Sequence, residues 1–557
     1  MVRAKRLPAD EDRLDAQPPG SRSAPFQHPA GPEDPRGPEG PAGPKGRWVR
    51  HPLTVAAWIV GFLALFGLYL RISFTGGYVT SDGANNALQA WDMLHGHVLL
   101  HGWVIGDATY YTFDLPVLAV VEIFSGLSDL TGHAASALIY LIVTVSAVAL
   151  AVTDSRGLAR VARCAVVVVV LTAMFHVVPN APFLLGAPDH TGTSAFLLVS
   201  FLLIDRVPAR RYTSVLLVAI LCAGQIGDAT VLYVAVPAVV VVCGYRAVAT
   251  RKIRTGDAAN ALAAAVSVPL AAAVRAVMLH FGGYQMVAPK ITIAAPRRWP
   301  HNAALAWHAI SVLFGVQAAG SSALTRDAGY ILGLACLLAA AAGVARVAWT
   351  WRTASRAEQL LCVAIVLDLS AYVISTMPIL TNPYEVVTVL PCGAVLAARA
   401  CVPGHTAGTL RAGIATSLAA IAALLTLTSA AVQPAAAVPT LPLSAWLEAH
   451  GLTYGLAGYW NSSVVTLQSG NRVQVRAVVM QGRQVVPYDW ETNTLWYDAS
   501  RHDATFVIVD LAVHGQSSSA EQIFGQPYKI GYVAHWAILI YRKNLLEQVA
   551  MAGERHQ

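Results

Sequence analysis

Polar positions are rare along most of this chain, and apolar stretches long enough to cross a bilayer follow one another from residue 53 onward. A helix needs roughly 18 to 23 apolar residues to cross about 30 Å of hydrocarbon. That length predicts about eleven transmembrane helices, near 53–71, 132–152, 163–179, 193–205, 212–226, 229–245, 257–280, 328–349, 358–378, 384–400 and 411–433. After Pro434 the period changes. Apolar runs shorten to strand length in "VVTLQ" (464–468), "RVQVRAVVM" (472–480), "TFVIVDL" (505–511) and "HWAILIYR" (535–542), separated by "QSGN" and "ASRHD". Helical patterns at 442–451 and 519–525 complete a small α+β domain over 434–557. The first 46 residues are rich in Pro, Gly and mixed charge with no apolar period, as a disordered tail would be.

Composition supports this reading. With 55% hydrophobic and 12% charged residues, the chain lacks the charge to cover a soluble surface, so it is an α-helical polytopic membrane protein. Lys and Arg gather before the first span and in the turns 154–163, 205–211, 246–254 and 346–356, which the positive-inside rule places in the cytoplasm. The segments 72–131, 180–192 and 379–383 contain neither residue and fall outside. The N-terminus is then cytoplasmic, the C-terminal domain extracytoplasmic, and 72–131 and 281–327 are large outer loops of a membrane domain spanning 47–433. The first apolar run begins past residue 50, has full span length and carries no cleavage motif, so it reads as an anchor rather than a signal peptide. The net charge of +7 reports topology and not nucleic-acid binding. All seven cysteines fall within or at the ends of predicted spans, which implies no disulfide framework.

The first outer loop opens on "TSDGANNALQAWDMLHGHVLLHGW" (80–103). Its residues Ala84, Ala87, Leu88, Trp91, Leu94 and Val98 have helical spacing, which suits a helix lying in the membrane interface. Asp82 stands at the start of that helix. Ser81 or Asp82 serves there as an N-cap, or Asp82 is a functional carboxylate, and the spacing fits both.

A long first outer loop opening on an acid, an interfacial helix, a second helix begun by a Pro ("YYTFDLPVLAVVEIFSGL", 110–127), many spans and a C-terminal outer domain together resemble the GT-C glycosyltransferases. That superfamily includes the protein O-mannosyltransferases and the lipid A aminoarabinose transferases. The segment "NPYEVVTVLPCGAVLAARA" (382–400) is similar to a late stretch of the family, with Asn382-Pro383 where a basic residue often stands. The resemblance implies transfer of a sugar from a polyprenyl-phosphate donor to an extracytoplasmic glycan, lipid or protein acceptor, with inversion. Inversion needs a carboxylate to take the acceptor's proton, and Asp82 fits. The departing phosphate needs positive charge, for which Lys290, Arg297 and Arg298 in the loop 281–302 are candidates.

Further outer acids converge on the same face. Asp189 and His190 lie in "GAPDHTG", Asp107 and Asp228 in the echoed "GDAT" at 106–109 and 227–230, and Asp114 beside Pro116. Two or three of these carboxylates suit a divalent cation, Mg or Mn, although helix capping accounts for loop aspartates equally well. His97 and His101 have a metal-pair spacing but no acid beside them, which favours an interfacial role. In the outer domain Tyr459 and Trp460 suit stacking on a sugar or packing of the core.

Two readings from other classes stand beside the transferase. A transporter is favoured by Asp368 and Arg275 inside predicted spans, where charge is costly, unless the two form one structural ion pair. A non-catalytic membrane scaffold with an outer binding domain accounts for the architecture alone.

Overall fold

The computed structural model describes residues 52–176, 184–186, 190–206, 211–249, 256–287, 291–316, 323–379, 383–402 and, apart from 514–515, 433–549, with a few isolated positions between 402 and 433. The chain divides into two compact units, Met1–Trp58 and Ile59–Gln557. Of the first, only the opening turns of helix α1 (Pro52–Gly76) are described.

Helices lie over ten of the predicted spans: α1, α4 (Asp129–Ala151), α5 (Gly157–Thr172), α6 (Thr193–Arg206), α7 (Arg211–Gly227), α8 (Val236–Ala249), α9 (Gly256–His280), α11 (Ala323–Trp349), α12 (Arg356–Ile374) and α13 (Val389–Cys401). Among the described residues, seven helices are long and apolar enough to cross a membrane, and Tyr212–Gly227 and Val389–Cys401 are shorter apolar ones. The span predicted at 411–433 lies almost wholly outside the described residues.

α13 is the centre of the bundle. Every residue from Val389 to Arg399 is buried, among α4, α5, α11 and α12. Its Ala, Gly and Cys content permits this, because small side chains let helix backbones approach closely without a hydrophobic drive between them. Gly343 of α11 shows how tight the approach is, since a Cβ there would stand 2.8 Å from the Leu396 carbonyl.

At one end of the bundle the first loop folds into α2 (Ser81–Leu94), a short strand β1 (Trp103–Ile105) and α3 (Asp114–Ser125). The loop expected at 281–327 contains β2 (Gln285–Met286) and a further helix, α10 (Trp299–Leu313). The terminal domain comprises α14 (Leu441–Ala449), β3 (Tyr454–Ala457), α15 (Ser463–Gln468), β4 (Gln474–Gln481), β5 (Gln484–Pro487), β6 (Thr492–Asn493), β7 (Phe506–Asp510), α16 (Gln516–Phe524), β8 (Lys529–Val533) and β9 (Trp536–Ile540). Six of its strands form a mixed sheet in the order β5-β4-β3-β7-β9-β8, in which β3 runs parallel to both β4 and β7. β1, β2 and β6 form a second sheet, in which Trp103 pairs with Asn493 and Val104 with Gln285. These strands stitch the first loop, the segment after α9 and the terminal domain into one body.

Three expectations are corrected here. The "VVTLQ" segment is helical: Val464, Val465 and Leu467 are buried, and Ser463 Oγ donates to Asn85 Oδ1 at 2.5 Å. Tertiary packing against α2 overrides the strand preference of its β-branched residues. The helix predicted to lie in the interface is instead enclosed, with residues 83–90 all buried among α3, α4 and α15. Its N-cap is neither Ser81 nor Asp82 but Thr80, whose Oγ1 accepts from the Gly83 N–H. Ser81 Oγ donates to the Tyr459 carbonyl at 2.8 Å.

Candidate active site

The two "GDAT" segments find each other. Ala108 and Asp228 form an antiparallel bridge, Thr109 N donates to the Gly227 carbonyl at 2.9 Å, and Thr109 Oγ1 donates to the Ile226 carbonyl at 2.7 Å. Gly227 permits the contact, because a Cβ there would meet Thr112 Oγ1 at 2.6 Å. This junction sets Asp107 and Asp228 on the wall of one cavity of about 560 Å³. His190, Asp368, Glu385 and Arg275 line it too.

Within that cavity His190 is the buried pivot. Its backbone sits at φ +54°, a left-handed conformation that costs a non-glycine residue free energy. Nδ1–H donates to Asp228 Oδ2 at 2.7 Å, and Nε2 stands 3.8 Å from Glu385 Oε2. Burial opposes the imidazolium, but Asp228 and Glu385 together outweigh it, so the His190 pKa is held well above its ordinary value. Burial likewise works against the Asp228 carboxylate, yet His190, the Thr193 hydroxyl and the Thr230 N–H bring it down to about 2. In the adjoining wall the Thr388 hydroxyl donates to Asp368.

A second acid group lies where the terminal domain meets the first loop. The Tyr459 hydroxyl donates to Asp82 and accepts from Asn85 Nδ2 at 3.3 Å. Glu491 accepts from Gln89 Nε2 at 2.5 Å and from the Gly106 N–H at 3.0 Å. Burial raises the Asp82 pKa, partly offset by the Tyr459 hydroxyl. Burial also pushes Glu491 up to about 8, relieved in part by the Gly106 N–H and reinforced by the charges of Asp82 and Asp107. Asp107 also acts on His190, so it couples the two groups.

Of the residues singled out in the sequence, the structure brings Asp107, His190 and Asp228 together. Asp114 is buried at the start of α3 with its carboxylate against Gly192, where a Cβ would meet Oδ1 at 2.3 Å. Asp189 and Lys290 lie outside the described residues. Arg297 and Arg298 are exposed on a single turn, Pro296–Arg298, outside the cavity lining, while Ile291, Thr292 and Ile293 of the same segment line it. Arg275 and Asp368 share the cavity, with no ion pair joining them. Tyr459 and Trp460 line a separate pocket in the terminal domain. Among the described residues no three His, Cys, Asp or Glu side chains converge to hold a metal ion. Sequence reasoning missed Glu385 and Glu491, which are lone acids without a spacing to mark them.

A second cavity, of about 480 Å³, shares Arg275 and Met286 with the first and runs along α9 past Met278, Leu279 and Tyr284. On the same helix Leu262, Leu270 and Leu279 are exposed, as side chains facing lipid would be. Arg275 therefore stands between an apolar groove and an acidic chamber.

No protein-family model matches the chain, and no curated protein matches it. Solved structures do. ArnT from Cupriavidus metallidurans in the apo state is similar with a TM-score of 0.50 and 11% identity, over 89% of this chain and 99% of that one. ArnT bound to undecaprenyl phosphate gives 0.49 at 11% identity over the same shares. An oligosaccharyltransferase of Archaeoglobus fulgidus, in complex with Zn and sulfate, gives 0.47 at 10% identity, over 83% of this chain and 70% of that one. The likeness to the apo ArnT structure is one of fold, over nearly the whole length of both chains.

Proposed function

We propose that the protein is an integral membrane glycosyltransferase that moves a sugar from a polyprenyl-phosphate donor to an extracytoplasmic acceptor. The observation that carries this reading is Arg275, which lines both the groove along α9 and the acidic cavity. The groove suits an isoprenoid chain, and a guanidinium at its inner end suits the phosphate. Beyond it, Asp107, Asp228, Asp368 and Glu385 offer acceptors for sugar hydroxyls. The same orientation that places the basic turns in the cytoplasm puts this end of the bundle outside.

In the proposed reaction the acceptor hydroxyl oxygen attacks the anomeric carbon and the bond from that carbon to the phosphate oxygen breaks. The electron pair leaves with the polyprenyl phosphate, whose charge Arg275 stabilises. The acceptor proton passes to Asp82. Burial raises the pKa of Asp82, which makes it a stronger base than an exposed aspartate. His190 and Asp228 shape the chamber. No step is assigned to a divalent cation.

A second assignment of the base, Asp107, is favoured by one observation: it lines the cavity, and Asp82 does not. Transport and scaffold readings are less well supported, because Arg275 and Asp368 face a chamber at one end of the bundle instead of pairing within it. The test is transfer from a panel of radiolabelled polyprenyl-phosphate sugars in membranes holding the intact protein, Asp82→Asn or Asp107→Asn. Transfer that is lost with Asp82→Asn and retained with Asp107→Asn supports the first assignment, and the reverse supports the second. Absence of transfer from every donor, with inserted and folded protein, would overturn the reading.

A further inference from the structure

The terminal domain carries a pocket of about 490 Å³ that shares no lining residue with the acidic cavity. It is built at the carboxyl ends of three parallel strands. Gly458, Tyr459, Trp460 and Asn461 follow directly on β3; Val478, Val479 and Met480 are the part of β4 that runs past the end of β3; and Ile508 and Asp510 close β7. The chain leaves β3 through α15 to reach β4 on one flank and returns later to place β7 on the other. β3 is therefore where the strand order reverses, and in open α/β sheets the crevice beyond the carboxyl ends at such a reversal is where ligands bind.

The lining selects a ligand class. Trp460 is 64% exposed on the single turn Tyr459–Asn461, with its ring edge-on to Tyr459 at 5.1 Å. Tyr459 in turn lies 4.6 Å from Tyr488, so three aromatic rings line one side of the pocket. Asn461 and Asp510 supply polar groups to the same space, and none of the described lining residues is Lys or Arg. Flat rings beside a carboxylate and an amide suit the apolar faces and hydroxyls of a neutral sugar. The absence of Lys and Arg among the described lining residues disfavours an anionic one.

We infer that this pocket binds the acceptor, a neutral oligosaccharide, and presents it toward the transfer site. The inference rests on the transferase reading for its second half only. The link is Tyr459, whose ring lines the pocket while its hydroxyl holds Asp82. A glycan seated on Trp460 thus lies one side chain from the proposed base.

The experiment uses the full chain in lipid nanodiscs and an array of neutral and carboxylated pentose and hexose oligosaccharides of four to six units, followed by titration of the tightest neutral probe. Binding of neutral probes is expected, weakened about tenfold by Trp460→Ala and restored by Trp460→Tyr, as loss and recovery of one stacking ring predict. In the transfer assay Trp460→Ala raises the acceptor KM by a similar factor and leaves kcat unchanged. Equal affinity in Trp460→Ala, preference for carboxylated probes, or no binding at millimolar concentration would each overturn the inference. If neutral glycan binds through Trp460 but no donor supports transfer, the pocket stands and the transferase reading fails. If transfer occurs and Trp460→Ala changes neither binding nor KM, the pocket fails and the reading stands.

Discussion

The two ends of the helix bundle handle charge in opposite ways. At one end Arg163, Arg246, Arg346, Arg356 and Arg399 are each engaged with neighbours. Arg163 donates to the Val402 and Ala151 carbonyls at 2.7 and 2.8 Å and pairs with Asp154. Arg399 donates to the Leu150 carbonyl at 2.7 Å, Arg356 stands 3.0 Å from Asp257, and Arg346 pairs with Glu358. These contacts tie helix ends together and occupy the arginines that make them. At the other end Asp107, Asp228, Asp368 and Glu385 line one chamber, with His190 and Arg275 as the basic side chains among its described lining residues. Like charges gathered around open space cost stability, so they are more readily understood as serving a ligand than the fold.

The largest effect that would sharpen this contrast is on chemistry. Asp82→Asn is expected to lower kcat about 10²- to 10⁴-fold, the usual contribution of a general base, while the thermal midpoint in detergent stays close to wild type. A midpoint that collapses with the activity would make Asp82 structural. Next comes Arg163→Ala at the opposite end. It leaves two buried carbonyls without their donor, at roughly 1–3 kcal/mol each, so a loss of about 3 kcal/mol in unfolding free energy is expected with unchanged turnover per folded molecule. Reduced turnover at full stability would place Arg163 in the chemistry and not in the scaffold.

Arg275→Ala ranks third. Losing a charge-assisted hydrogen bond of roughly 1.5–3 kcal/mol raises the donor KM about 10- to 100-fold, measured with donor varied at saturating acceptor; an unchanged KM would remove Arg275 from the donor site. The smallest effect is on pH dependence. Glu491 titrates near 8 in the folded protein against an ordinary value of 4.5, so the folded state keeps a proton that the unfolded chain releases. The stability it contributes is complete below the lower value and is lost as pH rises through the upper one. Melting of the wild type should fall over that window, and Glu491→Gln should flatten the slope there.

Much of this architecture was legible in the sequence because hydrocarbon imposes one length and one chemistry on a spanning helix. Ten helices lie where apolar runs predicted them, and the two "GDAT" segments, alike in sequence, proved to bridge. Other features depend on packing that no local pattern records. The 464–468 segment is β-branched yet helical because α2 presents Asn85 and a buried face to it. Glu491 carries no motif, and its position at φ +49° beside Gly106 exists only once β1 and β6 have paired. The adjacent Arg297 and Arg298 stand out in the sequence but face solvent. Arg275, which the sequence offered only to a transport reading, owes its position to the turn of α9 against the chamber.

The most direct test of the claim that this acidic end holds a lipid-linked donor is photo-crosslinking with a diazirine-bearing polyprenyl phosphate, read by peptide mapping of the intact protein in nanodiscs. The account predicts labelling between Arg275 and Met286, competed by unlabelled polyprenyl phosphate and sharply reduced in Arg275→Ala. Labelling confined to the arginine-rich end, or undiminished in Arg275→Ala, would contradict it.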